Sequence, residues 1–290
     1  MDTLAETLAQ FEQLDQTKIV PVFSGGGTRA SAHIGILQAL KELKIEFDNL
    51  VGVSGGSIIS ALYCSGMDIN DIKQLALDTD FKQFRGYSLI RLFRDGGLDS
   101  GDKFEKWMDH HLKGATFADL KYNLNVLATD VNGGGPVVFN KTRTPSLKVS
   151  KAVRFSMSIP LMFSFQKYED HILTDGAILA EDALFNDWAG DGTPTICFRL
   201  KSKPGKQKPQ RASIFPLKNY VLMLVRTFMT AVSREYVQAN HWHSTIVIDT
   251  GTISPVDFNL NNEQKEELYQ AGYSTVLSII PKKLFQPVKG

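Results

Sequence analysis

Two hydrophobic rhythms alternate along the chain. Short apolar runs rich in Val and Ile occur at 18–24 ("KIVPVFS"), 49–54 ("NLVGVS"), 124–131 ("LNVLATDV"), 193–200 ("TPTICFRL") and 244–251 ("STIVIDTG"). Their length and near-continuous apolar character are those of strands buried on both faces. "PVVFN" at 136–140 and "HILTDGAIL" at 171–179 also read as strands, the second turning at Asp175-Gly176. Between the runs, apolar positions fall at helical spacing. At 28–44 they are Ala32, Ile34, Ile36, Leu37, Leu40 and Leu43, and a second helix at 55–66 is closed by Gly66. Further helices are predicted at 100–114, at 146–159 ahead of Pro160, from Leu217 to about Val237, and at 261–280.

Strand and helix in alternation imply parallel crossover units. The expected fold class is α/β, a three-layer α/β/α sandwich with a mostly parallel central sheet. A single domain over 1–290 is expected, with a helical arm at 1–17 and a flexible basic loop at 201–216. No internal repeat is visible.

Composition narrows the function classes. At 43% hydrophobic and 22% charged, the 290 residues can bury a sizeable core. A net charge of +1 leaves no basic excess to neutralise a phosphate backbone, so no nucleic-acid partner is expected. Cys64 and Cys197 sit in apolar context and make no disulfide framework. The first residues lack the basic and apolar regions of a secretory signal, and no apolar run approaches the ~20 residues of a spanning helix. A cytoplasmic location is therefore expected, with peripheral membrane contact open to it. Oligomeric state leaves no mark in the sequence.

Candidate chemistry begins at Gly52-Val53-Ser54-Gly55-Gly56. It fits G-x-S-x-G at a strand-to-helix junction, the context a nucleophile elbow requires. Such a turn lifts the Ser54 hydroxyl off the sheet and onto a helix N-terminus, and its flanking positions must lack side chains to avoid collision. Gly25-Gly26-Gly27, at the end of the first strand, can align backbone N–H groups into an oxyanion hole. Arg29, one turn on, can brace that loop or add positive charge. Gly25, Gly27 and Ala30 also satisfy a dinucleotide-binding fingerprint. Its acidic partner would be Asp48, which precedes the second strand and so lies at the wrong edge of the sheet. A P-loop is excluded, because G-K-[ST] is absent.

Taken together, "SGGGTRASAHIGILQAL", "GVSGGS", "AVRFSMSIPLMF" and "ILTDGAIL" resemble, in that order, the motifs of the patatin-like phospholipases. The resemblance covers most of the chain. It implies a lipid acyl hydrolase with a Ser–Asp dyad and no histidine, no cofactor and no metal. The nucleophile falls on Ser54, the general base and acid on Asp175, and the oxyanion loop on Gly25, Gly26 and Gly27 with Arg29. Substrates implied are phospholipids, lysophospholipids or related acyl esters; an acyltransferase, a thioesterase or a silent lipid-binding module would use the same scaffold. The chain departs from the pattern at Ser24, at Ala30, and in "LAEDAL" after the Asp-Gly-Ala turn.

Rival residues are weaker. Asp95-Gly96-Gly97 is a more literal D-G-G but follows no apolar strand. His241 and His243 would complete a Ser-Asp-His order and read instead as surface or capping residues. His33 reads as packing, and Asp109-His110-His111 point apart on a helix, which suits no metal. Lys201, Lys203, Lys206, Lys208 and Arg211 could touch anionic headgroups. The helix at 220–232 reads more readily as core or subunit contact than as interfacial.

Overall fold

The computed structural model describes residues 18–203, 216–234 and 241–285. The expected arm at 1–17 and most of the basic loop lie outside the described residues. In chain order the elements are β1 (Val20–Ser24), α1 (Ser31–Glu42), β2 (Asn49–Val53), α2 (Gly55–Cys64), α3 (Ile69–Asp78) and α4 (Leu89–Asp95). There follow β3 (Gly97–Asp99), α5 (Asp102–His111), β4 (Asn123–Asp130), β5 (Gly135–Phe139), α6 (Val149–Ser156) and β6 (Leu161–Phe163). The chain continues through β7 (Gln166–Tyr168), β8 (His171–Thr174), α7 (Glu181–Leu184), β9 (Thr195–Lys201), α8 (Pro216–Arg234), β10 (Thr245–Asp249) and α9 (Asn262–Phe285).

Eight strands form one sheet in the order β10-β9-β1-β2-β4-β8-β7, with β5 paired to β4. From β10 to β4 every pairing is parallel, whereas β5, β7 and β8 run antiparallel. This is the mostly parallel α/β sheet that the apolar runs predicted. The five parallel strands are mostly buried on both faces, as continuous hydrophobicity requires. Phe23 in β1 and Ile19 just ahead of it join the larger core, while Val20 and Val22 belong to a second cluster. The two helical layers are unequal. The larger core lies under residues of α1, α2, α3, α5, α6 and α9; the second cluster is covered by α7 and the coil up to Ala189.

Helices α1 and α9 touch backbone to backbone. A Cβ at Gly35 would lie 2.0 Å from the Tyr269 carbonyl oxygen, and one at Gly272 would lie 2.0 Å from that of Ala32. Two facing glycines thus fix the axis of the helix that begins just after the glycine loop.

The sheet order also places the site. From β1 the chain proceeds to β2 and β4 on one side and later to β9 and β10 on the other. The carboxyl end of β1, Gly25-Gly26-Gly27, therefore stands at a topological switch point, where open α/β sheets form ligand crevices.

Candidate active site

Strand β4 explains how residues 121 positions apart meet. On one edge it pairs with β5. On the other it pairs in parallel with β2 as far as Val53↔Leu127, then antiparallel with β8 from Thr129↔Thr174. The two strands share an edge and approach each other head-on, with Ala128 the one β4 residue between them. The residue leaving β2 is Ser54 and the residue leaving β8 is Asp175. Their side chains meet: Ser54 Oγ donates to Asp175 Oδ2 at 2.7 Å, and both residues are fully buried.

The elbow is strained and tightly enclosed. Ser54 has φ 51° and ψ −129°, a region where a residue with a Cβ is uncommon and costs ~1–3 kcal/mol. A Cβ at Gly52 would lie 2.6 Å from Ser57 Cα, and one at Gly56 would lie 2.1 Å from the Phe23 carbonyl oxygen. No larger residue fits either position. Ser156, which the sequence reading did not single out, supports the turn. Its hydroxyl accepts from the Ser54 amide at 2.8 Å and donates to the Leu127 carbonyl at 2.6 Å.

Asp175 begins a tight turn in which its Oδ1 accepts from the Ala177 amide at 2.9 Å. Burial pushes its carboxyl up from 3.8 to about 6, against the opposing pull of the Ser54 and Ala177 hydrogen bonds. Its own amide donates to the Ser158 carbonyl, at 3.0 Å. Buried Arg154, also unforeseen, holds that segment by donating to Ser158 Oγ at 2.6 Å and to the Ser164 carbonyl at 3.0 Å. A hydroxyl donating to a carboxylate of this pKa can pass it a proton near neutrality.

The glycine loop lies against the elbow, since a Cβ on Gly55 would be 2.5 Å from the Gly27 nitrogen. All three glycines have positive φ, at 71°, 113° and 53°. Their amides are not equivalent. Gly25 donates to the Val53 carbonyl at 3.1 Å, whereas the amides of Gly26 and Gly27 donate to no group among the described residues. Beneath the loop, buried Arg29 donates to the Gly26 carbonyl at 3.2 Å, the Thr250 hydroxyl at 2.9 Å and the Leu200 carbonyl at 3.3 Å. Burial lowers its pKa to about 10, so it stays charged. His33 stacks on Phe23 with ring centroids 4.9 Å apart, and its Nε2 donates to the Gly25 carbonyl at 3.1 Å. Burial lowers its pKa to about 4, so the ring is neutral. The sequence reading had given it packing alone.

The profile of the patatin-like phospholipases matches residues 22–184, more than half of the chain. The chain belongs to the patatin-like phospholipase family. It is thereby a lipid acyl hydrolase by class. Its relatives include an uncharacterized protein of Acanthamoeba polyphaga mimivirus, 27% identical over 277 residues, covering 89% of this chain and 92% of that protein. The neuropathy target esterase sws of Drosophila grimshawi is 34% identical over 112 residues, which are 38% of this chain and 8% of the esterase. Among solved structures, VipD from Legionella pneumophila superposes with a TM-score of 0.62 at 16% identity, over 93% of this chain and 67% of VipD. At that identity the likeness speaks for the fold.

In this lipid hydrolase an apolar pocket adjoins the loop. Gly27, Thr28 and Met157 are among the residues lining it, and Met157 Sδ lies 3.8 Å from Ser54 Oγ. Its walls include Ile59, Leu62, Ala76, Phe84, Trp107 and Phe258. The lining suits an acyl chain.

The rival residues lie elsewhere. Asp95 pairs with Arg94 at 2.9 Å and Arg91 at 3.4 Å at the end of α4. Asp48, the dinucleotide candidate, pairs with Lys18 at 2.8 Å. His241 stacks on Phe185 with ring centroids 3.9 Å apart, and His243 is exposed. Asp109 accepts from Lys148 at 2.9 Å and Ser150 at 2.9 Å. Of the basic run, Lys201 ends β9 and Lys203 pairs with Asp249 at 2.7 Å; Lys206, Lys208 and Arg211 lie outside the described residues. No group of three or more His, Cys, Asp or Glu among the described residues could hold a metal.

Proposed function

We propose that this enzyme cleaves acyl esters of lysophospholipids or phospholipids through a Ser54–Asp175 dyad and an acyl-enzyme. The observation carrying this reading is the 2.7 Å hydrogen bond between two buried groups, beside loop amides that have no acceptor among the described residues. Ser54 Oγ attacks the ester carbonyl carbon as its proton passes to Asp175 Oδ2. The carbonyl oxygen becomes an oxyanion facing the Gly26 and Gly27 amides, with the Arg29 charge beneath the loop adding to the field. Collapse of this intermediate breaks the bond to the alcohol, which leaves with the proton from Asp175. Water then attacks the Ser54 ester, gives its proton to Asp175, and the acid is released as the hydroxyl re-forms.

The acyl chain occupies the apolar cavity at Met157. Gly25 keeps the loop in place through its bond to Val53, so the oxyanion contacts fall to its two neighbours. The test is hydrolysis of a 1-acyl lysophospholipid by variants. Ser54→Ala and Asp175→Asn each remove activity by at least ~10³-fold, whereas replacing His241 and His243 together with Ala leaves most of it. Loss in the histidine variant comparable to that of Ser54→Ala would return the triad reading. Product analysis with an added alcohol acceptor separates hydrolysis from acyl transfer.

A further inference from the structure

The outer face of α8 is apolar where a helix facing water is normally polar. Val221, Val225 and Met229 point inward, into a buried cluster with Met162 and Phe163. Tyr220, Met223, Leu224 and Phe228, at spacings of three and four, form an exposed stripe, with Tyr220 55% accessible. Helix α4 repeats the arrangement: Leu89 and Leu92 pack on the same cluster, while Ile90 and Phe93 are 81% and 79% exposed. Between the helices β3 pairs with β6, and Leu161 and Phe165 are exposed there. Of twelve exposed large hydrophobic residues among those described, nine belong to this strip, counting Tyr87 just ahead of α4. Scattered apolar residues on a surface are ordinary, but concentration in one strip marks a contact surface.

Charge and continuity identify what the strip contacts. Among its described side chains α8 carries Arg226 and no acidic residue, and α4 carries Arg91 and Arg94 against Asp95 alone. Basic residues beside an apolar stripe complement anionic headgroups over an acyl layer. The cluster on which the strip rests continues into the acyl cavity: Ile159, Phe163 and Phe258 belong both to the cluster beneath α8 and to the cavity lining. No helix of the described residues is long and apolar enough to cross a membrane, so α8 would lie along the interface. We propose that the α4–β6–α8 strip docks this enzyme on an anionic phospholipid bilayer, bringing the acyl cavity to the layer that holds its substrates. The proposal rests on the lipid-hydrolase reading above.

Flotation with vesicles of phosphatidylglycerol and phosphatidylcholine tests it, using Ser54→Ala protein so that binding does not depend on turnover. Ile90→Glu with Phe93→Glu, and separately Met223→Glu with Phe228→Glu, weaken vesicle binding at least tenfold. Phe93→Trp retains it, and melting temperatures stay close to the parent's, as for exposed substitutions generally. The parent binds pure phosphatidylcholine vesicles less well than mixed ones. Equal binding by parent and glutamate variants, or no binding by the parent, overturns the proposal. So does light scattering in which the glutamate variants dissociate an oligomer while vesicle binding is unchanged, which would make the strip a contact between copies. Absence of ester hydrolysis by the unsubstituted protein would sink the dyad reading and leave this binding measurement intact.

Discussion

Asp175→Asn should abolish turnover and yet make the folded protein more stable at neutral pH. The carboxyl is fully buried, and burial raises its pKa from 3.8 to about 6. The folded state therefore holds the proton more tightly than the unfolded chain does. Stability from this group is whole below about pH 3.8 and is lost as the pH rises through about 6. Above that range the ionised Asp175 costs the fold about 3 kcal/mol, at 1.36 kcal/mol for each pH unit between the two values. Asparagine carries no charge to desolvate. Its amide oxygen can still accept from the Ala177 amide and its NH2 can donate to Ser54 Oγ, so both local contacts persist. The assay is thermal unfolding of both proteins across pH. At pH 7.5 the variant should melt roughly 5 °C higher, the gap should fall to about half at pH 5, and it should nearly vanish at pH 4. A variant no more stable than the parent at pH 7.5, or a gap that widens toward acid, would refute the reasoning.

Other substitutions read other parts of the site. Gly27→Ala puts a Cβ 1.9 Å from the Pro255 carbonyl oxygen at φ 53°, so ester hydrolysis should fall at least 10²-fold. Gly25→Ala meets nothing within 4 Å and carries only the strain of φ 71°, ~1–2 kcal/mol, so it should keep activity within tenfold. Arg29→Met should lower kcat at least tenfold with KM little changed, and Arg29→Lys should not restore it, because one ammonium cannot replace a fork bonded to three oxygens. Ala76→Trp, on the cavity wall, should disfavour long acyl chains; losing burial of three methylenes costs about 2.4 kcal/mol, a ~50-fold shift in kcat/KM toward short esters.

Much of the fold was legible because its signals are local. The five parallel strands are continuous apolar runs, and each was placed within two residues of its observed ends. Ser54 stood out because an elbow needs glycine at fixed offsets. Its pairing with Asp175 came from family order; its physical cause, two strands meeting head-on along β4, is a register property that no local pattern carries. Ser156, Arg154 and the bracing role of His33 went unseen for a related reason. Each acts through hydrogen bonds to groups that folding brings to it, and a lone Ser, Arg or His has no periodicity to betray it. Helices α3 and α4 were missed because mixed polar sequence and short length blur their faces, although Asp68 and Ser88 cap them in ordinary fashion, with side chains accepting from Asn70 and Arg91 amides. Within the loop, the sequence offered three glycines alike, and the bond from Gly25 to Val53 and the space around each Cα tell them apart.

The most direct test of the central claim is covalent labelling with a fluorophosphonate, read by intact mass and then by peptide mapping. One adduct should form on the parent protein, on the peptide bearing Ser54, with a rate that rises through about pH 6 as Asp175 ionises. Asp175→Asn should label at least ~10²-fold more slowly. An adduct on any other residue, or labelling of Asp175→Asn at the parent's rate, would contradict the claim that these two side chains act together.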